Sequence, residues 1–383
     1  MQADVLVVGA GFAGAVSARE LAEKGQKVVV IDRRDHIGGN AYDYMEEGIR
    51  IHQYGPHIFH TSHQNVYEYL SRYTEWYPYQ HHVLGHIRGK LAPIPFNFES
   101  IDNCFTKDKA ERLRSKLQNH FPGERRLTIT ELLKVKDPDI KELADFVFEN
   151  VFKHYTMKQW GIAAEDIDPA VVARVPIKLS YKDGYFDDKY QVMPKDGYTP
   201  IFQRLLAHPN ITLRLEVEAK DILDIREGKI WVEEKEFTGK VIYTGMVDEL
   251  FDYALGELPY RSLDFVLERH AGTFQREATE NYPGPQEVVA YTRITEYKHL
   301  MNQEPLDHTF IHREFPLPYQ KDAVKGNIPY YPIFTPANQE LYHRYVDLAA
   351  HFPQLFLLGR LAEYKYYNMD TIVARALQLS SKL

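Results

Sequence analysis

The sequence predicts an α/β chain with a discontinuous nucleotide-binding domain, and three observations predict it. The chain opens as strand, glycine turn, helix and strand. A strand–glycine–helix unit of the same style returns near its end. Between the two, a helical stretch gives way to short β runs. At 383 residues there is length for two or three domains and a sizeable core. Pro93, Pro95 and Pro176 are the expected borders of the inserted parts.

The elements follow in chain order. Val5–Val8 is a continuous apolar run, as a parallel strand buried on both faces requires. Ala13–Lys24 reads as a helix stopped by Gly25, and Val28–Ile31 as the next strand. From about Ser100 to Arg174 the pattern is helical. Ile140, Leu143, Ala144, Val147, Phe148, Val151, Phe152 and Tyr155 form one stripe of a 3.6-period helix. After Pro176 the signal turns to β: Lys229–Phe237, Ser262–Glu268 and Glu287–Glu296 read as strands. Thr199 before Pro200 reads as an N-cap with proline at the first helical position, opening a helix to Ala207. Val241–Thr244 and Leu355–Leu358 are short apolar strands ending at glycine, and a helix follows from Asp370.

Composition excludes several classes. Hydrophobic residues are 44% and charged ones 26%, which rules out disorder, collagen and coiled coil. A net charge of −8 argues against a nucleic-acid binder, which needs a basic excess. No apolar run reaches the ~18 residues of a membrane span, so no membrane association is expected. Met1 is followed almost at once by a strand, so no signal peptide is read. Cys104 stands alone; no internal disulfide can form, as fits a reducing cytoplasm. Tyrosines number 27 against 3 tryptophans, an excess that suits polar, partly buried pockets as well as core packing.

Gly9-Ala10-Gly11-Phe12-Ala13-Gly14 is a G-x-G-x-x-G run between a predicted strand and a predicted helix. Gly9 permits the tight turn, Gly11 lets the backbone approach a pyrophosphate, and Gly14 lets helix and strand pack closely. The helix N-terminus then offers free N–H groups to phosphate. Asp32, ending the second strand, stands where a ribose hydroxyl is held. These parts make the opening domain Rossmann-like. The acid disfavours a 2′-phosphate, although Arg33 and Arg34 weaken that argument. The pair in Asp35-His36-Ile37-Gly38-Gly39-Asn40 resembles the signature of FAD-dependent amine-oxidase-like flavoproteins, which favours FAD over NAD.

His57, His60 and His63 recur every third residue. No carboxylate or cysteine joins them at a ligand spacing, so no metal site is expected. They read as structural histidines or as a flavin lining.

Tyr54-Gly55-Pro56-His57-Ile58-Phe59-His60-Thr61 and Tyr155-Thr156-Met157-Lys158-Gln159-Trp160-Gly161 resemble segments of the UDP-galactopyranose mutases. So do Tyr291-Thr292-Arg293-Ile294-Thr295-Glu296, Ile328-Pro329-Tyr330-Tyr331-Pro332, and Gly359-Arg360-Leu361 with Tyr364-Lys365-Tyr366 and Met369-Asp370. The segments keep the family's order over the whole chain. The resemblance implies interconversion of UDP-galactopyranose and UDP-galactofuranose, with reduced FAD as a nucleophile through N5, UDP as leaving group and no net redox. No side-chain nucleophile paired with a base is visible in the sequence, which agrees.

The resemblance also implies roles. Arg174 and Arg293 grip the diphosphate. Tyr155 and Trp160 contact the uridine, helped by Phe152, Thr156 and Gln159. Tyr185 and Tyr366 contact phosphate, and Asn281 the substrate, although two extra residues separate it from Arg293. Gly9, Gly11, Phe12, Ala13, Gly14, Asp32, Arg33, Gly39, Asn40, His57, Ile58, Val217, Gly359, Arg360, Met369, Asp370 and Thr371 line the FAD. A polar stretch, Ala163–Asp168, leads to Arg174 as a lid. Two departures stand out: Arg313-Glu314-Phe315 replaces a common Lys-Glu-Tyr, with Tyr319 a nearby tyrosine that could substitute, and His81 replaces an asparagine found near the sugar in some members.

The implied architecture is a discontinuous FAD-binding domain (1–79, 196–248 and 340–383), a helical domain with a lid (100–175), and an antiparallel sheet domain (80–99, 176–195 and 249–339). A cytoplasmic homodimer or larger homo-oligomer is expected, kept reduced by NAD(P)H or a reductase. The rivals are an FAD-dependent oxidase or desaturase on the same fold and a non-catalytic flavin module.

Overall fold

A computed structural model describes residues 2–161, 163, 175–226, 228–301 and 306–383. It resolves into two compact units: 1–78, 188–262 and 327–383 form the first, 79–187 and 263–326 the second.

The first unit is organised by a five-stranded, wholly parallel sheet. Its strands are β1 (Val5–Val8), β2 (Val28–Ile31), β3 (Ile211–Arg214), β4 (Lys240–Tyr243) and β5 (Leu355–Leu357), in the spatial order β3-β2-β1-β4-β5. Val5 lies opposite Val28 on one side and Lys240 on the other, so β1 is central. Its four side chains are buried on both faces, which is why the run carries no polar residue. Helix α1 (Phe12–Glu23) leaves β1 through the glycine turn and packs on α2 (Met369–Lys382). The predicted α/β class and its mixture of parallel and antiparallel sheets are observed, as are the predicted strands at Val5–Val8 and Val28–Ile31.

Two local expectations in this unit are corrected. Thr199 does not cap its own helix, which spans Thr199–Leu206. The cap is Asp43, whose carboxylate accepts from Tyr198 N at 2.6 Å and Thr199 N at 2.9 Å. The Thr199 hydroxyl donates instead to Asp43 O at 2.7 Å. Lys229–Phe237 is not one strand. Glu233 and Glu234 take positive φ, 51° and 60°, and fold it into a hairpin of Lys229–Val232 with Lys235–Glu236.

In the second unit six strands run Leu263–Ala271, His308–Pro318, Arg293–Glu296, Thr279–Asn281, Val83–Ile87 and Lys90–Ile94 in spatial order. The first of them begins at Tyr260 in the other unit, where it pairs with Tyr331–Pro332. Glu287–Tyr291, expected as strand, is a turn: Val288 N and Val289 N both donate to Pro285 O at 3.0 Å, and pairing starts only at Arg293. Three of its helices carry their own start signals. Asn97 with Ser100 and Thr128 with Glu131 form capping boxes, and Asp137 caps a helix with Pro138 at its first position.

The stripe from Ile140 to Tyr155 is helical but not of one period. An α-helix, Pro138–Val147, widens to a π-helical stretch, Phe148–Lys153, before α geometry returns at His154–Trp160. Ile140, Leu143, Ala144, Val147, Val151 and Phe152 join one apolar core with Ile101, Leu113 and Leu132. The i→i+5 spacing shifts the stripe, so Phe148 and Tyr155 end only half-buried. The helix presents Tyr155 outside the core because of that shift.

Asp43→Ala should therefore destabilise the first unit. It removes the acceptor for two helix N–H groups and a partner of Arg50 at 3.6 Å. A loss of about 2–4 kcal/mol is expected, read as a lower urea midpoint at unchanged slope.

Candidate active site

The glycine turn is built by contacts that leave no room for a side chain. Gly9 has φ 105°, and a Cβ there would overlap Thr244 Oγ1. A Cβ on Gly14 would land on the carbonyl oxygen of Gly9. Gly11 differs. Its φ is an ordinary −80°, and its Cβ would make only ordinary contacts, the nearest with Gly39 Cα at 3.6 Å. The second glycine turn therefore lies against the first, tied by Gly38 N donating to Ala10 O at 2.9 Å. No side chain caps α1, so its first N–H groups remain for another acceptor.

Asp32 is the clamp between these pieces. Its carboxylate accepts from Ala10 N at 2.7 Å and from Arg34 N at 3.0 Å, and its carbonyl accepts from Val217 N at 3.0 Å. Gly359, φ 104°, reaches the same turn, where its Cβ would touch Ala13 at 3.4 Å. Phe12 packs on Phe202, with ring centres 4.6 Å apart.

The two arginines after Asp32 part ways. Arg33 is ion-paired to Glu249 at 2.7 Å and lies 3.6 Å from Glu218, turned to the rim of a cavity of about 360 Å³. Arg34 is the one at the glycine turns. Its Nη2 donates to Asn40 Oδ1 at 2.8 Å, and its guanidinium lies 4.3 Å from the Tyr54 ring centre. Its Nη1 is buried without a hydrogen-bond partner among the described residues. The Tyr54 hydroxyl lies 2.6 Å from His36 Nε2, and burial holds that imidazole below its ordinary pKa. A buried guanidinium donor left open beside a glycine cradle and an uncapped helix suits an anionic dinucleotide. These residues thus fit a bound flavin dinucleotide: Gly11 and Gly39 would admit its pyrophosphate backbone, and Arg34 would meet its charge. The sequence names Arg34 only beside Arg33 as a possible partner of a 2′-phosphate and points to Arg33 for the flavin, because spacing alone does not say which of two adjacent side chains turns inward.

The other expected flavin residues lie in the same unit. His57 N donates to His52 Nδ1 at 3.0 Å, and Ile58 is buried. His60 is spent on Asp188 at 2.7 Å. Among the described residues no cluster of histidine, cysteine or carboxylate side chains is placed to hold a metal. Asp370, at the start of α2, is buried and accepts from the Thr61 hydroxyl at 2.9 Å and from Thr371 N at 2.6 Å. Arg360 lies over the rings of Tyr331 and Tyr366, 5.3 and 4.9 Å from their centres, and donates to Tyr367 O at 2.6 Å.

The second unit gathers another polar set. Asn281, Arg293 and Glu314 stand opposite one another on three adjacent strands, one row across a single face. Arg293 Nε donates to Glu314 Oε2 at 2.7 Å, and Glu314 is 2% exposed, so the arginine is aimed by a buried carboxylate. Tyr155, Gln159 and Trp160 lie half-buried on the helix ended by Gly161 in left-handed geometry, while Thr156 and Phe152 are buried. Tyr185 N donates to His81 O at 2.7 Å, and its ring packs on that histidine at 5.7 Å. Phe315 sets its ring edge-on to Tyr291 at 5.8 Å. Arg174 and the proposed lid from 164 to 174 lie outside the described residues.

A family model for UDP-galactopyranose mutase matches residues 150–366, more than half of the chain, and one for a Rossmann-like NAD(P)-binding domain matches 7–73. The chain is 36% identical over 387 residues to the UDP-galactopyranose mutase of Mycoplasma pneumoniae, covering 99% of this chain and 96% of that one. The chain belongs to the UDP-galactopyranose mutase family. The family reaches wider than one sugar nucleotide: a dTDP-fucopyranose mutase of Escherichia coli is 34% identical over 98% of this chain and 96% of its own. A crystal structure of a reduced UDP-galactopyranose mutase shares the fold, with a TM-score of 0.74 at 15% identity, covering 100% of this chain and 93% of that one. In this mutase-family enzyme the glycine turns with Arg34 and the Asn281–Arg293–Glu314 row are candidate site features, one in each unit.

The glycines make a separable prediction. Gly14→Ala drives a Cβ into main chain and should cost about 3 kcal/mol or more. Gly11→Ala fits the protein itself and should keep native circular dichroism; if the turn holds a flavin pyrophosphate, the methyl group would crowd it and the purified protein should contain little flavin. Equal flavin content in Gly11→Ala and wild type would mean that the turn does not meet the cofactor.

Proposed function

We propose that this enzyme interconverts UDP-galactopyranose and UDP-galactofuranose on reduced FAD, without net redox change. The observation that carries the reading is the Arg293–Glu314 pair in its cross-sheet row, within the stretch matched by the mutase model. Bound reduced flavin would supply the nucleophile, N5, for the anomeric carbon. The chain's own residues bind, orient and stabilise. Arg293, held by Glu314, offers a planar fork to the diphosphate and lowers the cost of UDP leaving. Asn281 stands beside it in the row. Tyr155 and Trp160 would take the uridine, supported by Phe152, Thr156 and Gln159; stacking a base on an aromatic ring contributes roughly 1–3 kcal/mol. Tyr185 and Tyr366 would bond the phosphates. Arg174 would arrive with its segment as a lid and exclude water.

In the same reading the glycine turns, Asp32, Arg34, Asn40, His57, Ile58, Val217, Gly359, Arg360 and the start of α2 hold the FAD. The three-part division into flavin domain, helical domain and sheet domain goes with it. So do a cytoplasmic setting, self-association as a homodimer or larger, and a reductant such as NAD(P)H or a reductase. Among the described residues no helix is long and apolar enough to cross a membrane.

The test is chromatographic. Dithionite-reduced enzyme should convert UDP-galactofuranose to an isomer of equal mass without consuming reductant, and strictly oxidised enzyme should not. dTDP-fucose supplied in parallel should turn over more slowly; faster turnover would move the chain's substrate from uracil to thymine nucleotides. Arg293→Lys keeps a charge against Glu314 but loses the fork, and Arg293→Ala loses both. Activity should fall in that order, with the alanine variant down roughly 30- to 1000-fold, about 2–4 kcal/mol, at unchanged flavin content. Normal turnover in Arg293→Ala would remove Arg293 from the site.

A further inference from the structure

Lys158 sits in the helix that carries Tyr155, Gln159 and Trp160, yet it is only 5% exposed. Its ammonium donates to Tyr282 O at 2.7 Å, to Val289 O at 3.0 Å and to Tyr291 O at 3.0 Å. All three acceptors belong to one loop, 282–292, which joins strand Thr279–Asn281 to strand Arg293–Glu296. The loop is irregular, and its tip is open: Val288 is 80% exposed. It is held from a second side as well. The Tyr282 ring stacks on His86 at 4.2 Å and 14°, and Tyr291 packs on Tyr282 at 4.7 Å. His86 is fixed in turn by Glu280 at 2.6 Å.

A compact cation with three donors is what three converging carbonyls need; arginine's planar fork cannot point at all of them. Burying that charge is not cheap, and burial draws the Lys158 ammonium down to about 8. A buried cation is weak evidence for stability, since an apolar side chain often serves as well. What it adds here is a fixed loop geometry. The loop's ends are Asn281 and Arg293, the two residues of the row proposed to meet the substrate.

We propose that Lys158 is a positioning residue of the mutase reaction, fixing loop 282–292 and thereby holding Asn281 and Arg293 in place for the nucleotide diphosphate. The proposal rests on the reading of Arg293 as a phosphate ligand. It also joins two parts of the site: the helix that would take the base sets the loop that aims the arginine.

The test uses flavin-loaded Lys158→Met and Lys158→Arg. UDP affinity is measured by calorimetry on oxidised enzyme, KM and kcat on reduced enzyme, and protease cleavage within 282–292 on both. Lys158→Met should weaken UDP binding and raise KM by about 10- to 100-fold, with flavin content kept and the loop cut faster. Lys158→Arg should recover part of the affinity. Wild-type KM and UDP affinity in Lys158→Met would overturn the proposal and leave Lys158 as packing. If Lys158→Met does not fold, His86→Ala loosens the same loop from its other side. Weaker UDP binding there supports the proposal, and unchanged binding overturns it. Failure of the wild type itself to bind UDP would sink the mutase reading instead, a result distinct from either.

Discussion

The first unit depends on one steric constraint: three stretches of main chain must pass at van der Waals distance around the end of β1. Gly14 lies on the carbonyl of Gly9, and Gly39 lies on Gly11. Neither approach tolerates a Cβ at its tight side, so each fixes the next. Once α1 is locked to β1 and the second glycine turn to the first, Asp32 is within reach of both Ala10 N and Arg34 N and bridges them. The main chain of Arg34 is then set, and its guanidinium is directed between Asn40 and Tyr54. A donor nitrogen is thereby buried without a partner among the described residues, a cost of about 1–3 kcal/mol unless a ligand meets it. Around this turn the unit leaves one donor that no described residue meets.

Much of this was legible in the sequence because it is local. β1 and β2 are buried on both faces, so each reads as an uninterrupted apolar run, and the glycine spacing reports close approach directly. What was not legible depends on residues far apart in the chain. The cap on the helix at Thr199 comes from Asp43, more than 150 positions away. The hairpin at Glu233-Glu234 places two glutamates in a conformation that favours glycine, which no turn signature announces. The π-helical stretch preserves the apolar pattern of an α-helix while rotating its face, so periodicity alone could not separate them. Glu287–Tyr291 has strand-like residues, but its carbonyls are claimed by Lys158 rather than by a neighbouring strand.

The candidate site shows the same division. Arg293 and Asn281 could be picked out by motif, whereas Glu314, which aims Arg293, is recognised only when the strand register puts the three in one row. Lys158 stands inside the Tyr155–Gly161 motif, yet the motif does not announce its role. A lysine in a helical segment is normally a solvated charge, and nothing local says that this one is buried.

Three cations, each with a different kind of partner, therefore do different work. Arg34 has a donor that no described residue meets, so it is suited to a ligand held throughout the catalytic cycle. Arg293 is aimed by a carboxylate, which orients the guanidinium but also offsets its charge; in the proposed site a diphosphate would share the arginine with Glu314. Lys158 is solvated by carbonyl dipoles, which satisfy its donors without neutralising it. Its charge is consumed in geometry, and the loop it fixes is the one that ends at Arg293. A substrate that comes and goes needs an arginine held in place between turnovers, and the carboxylate and the lysine-bound loop together provide that from two directions.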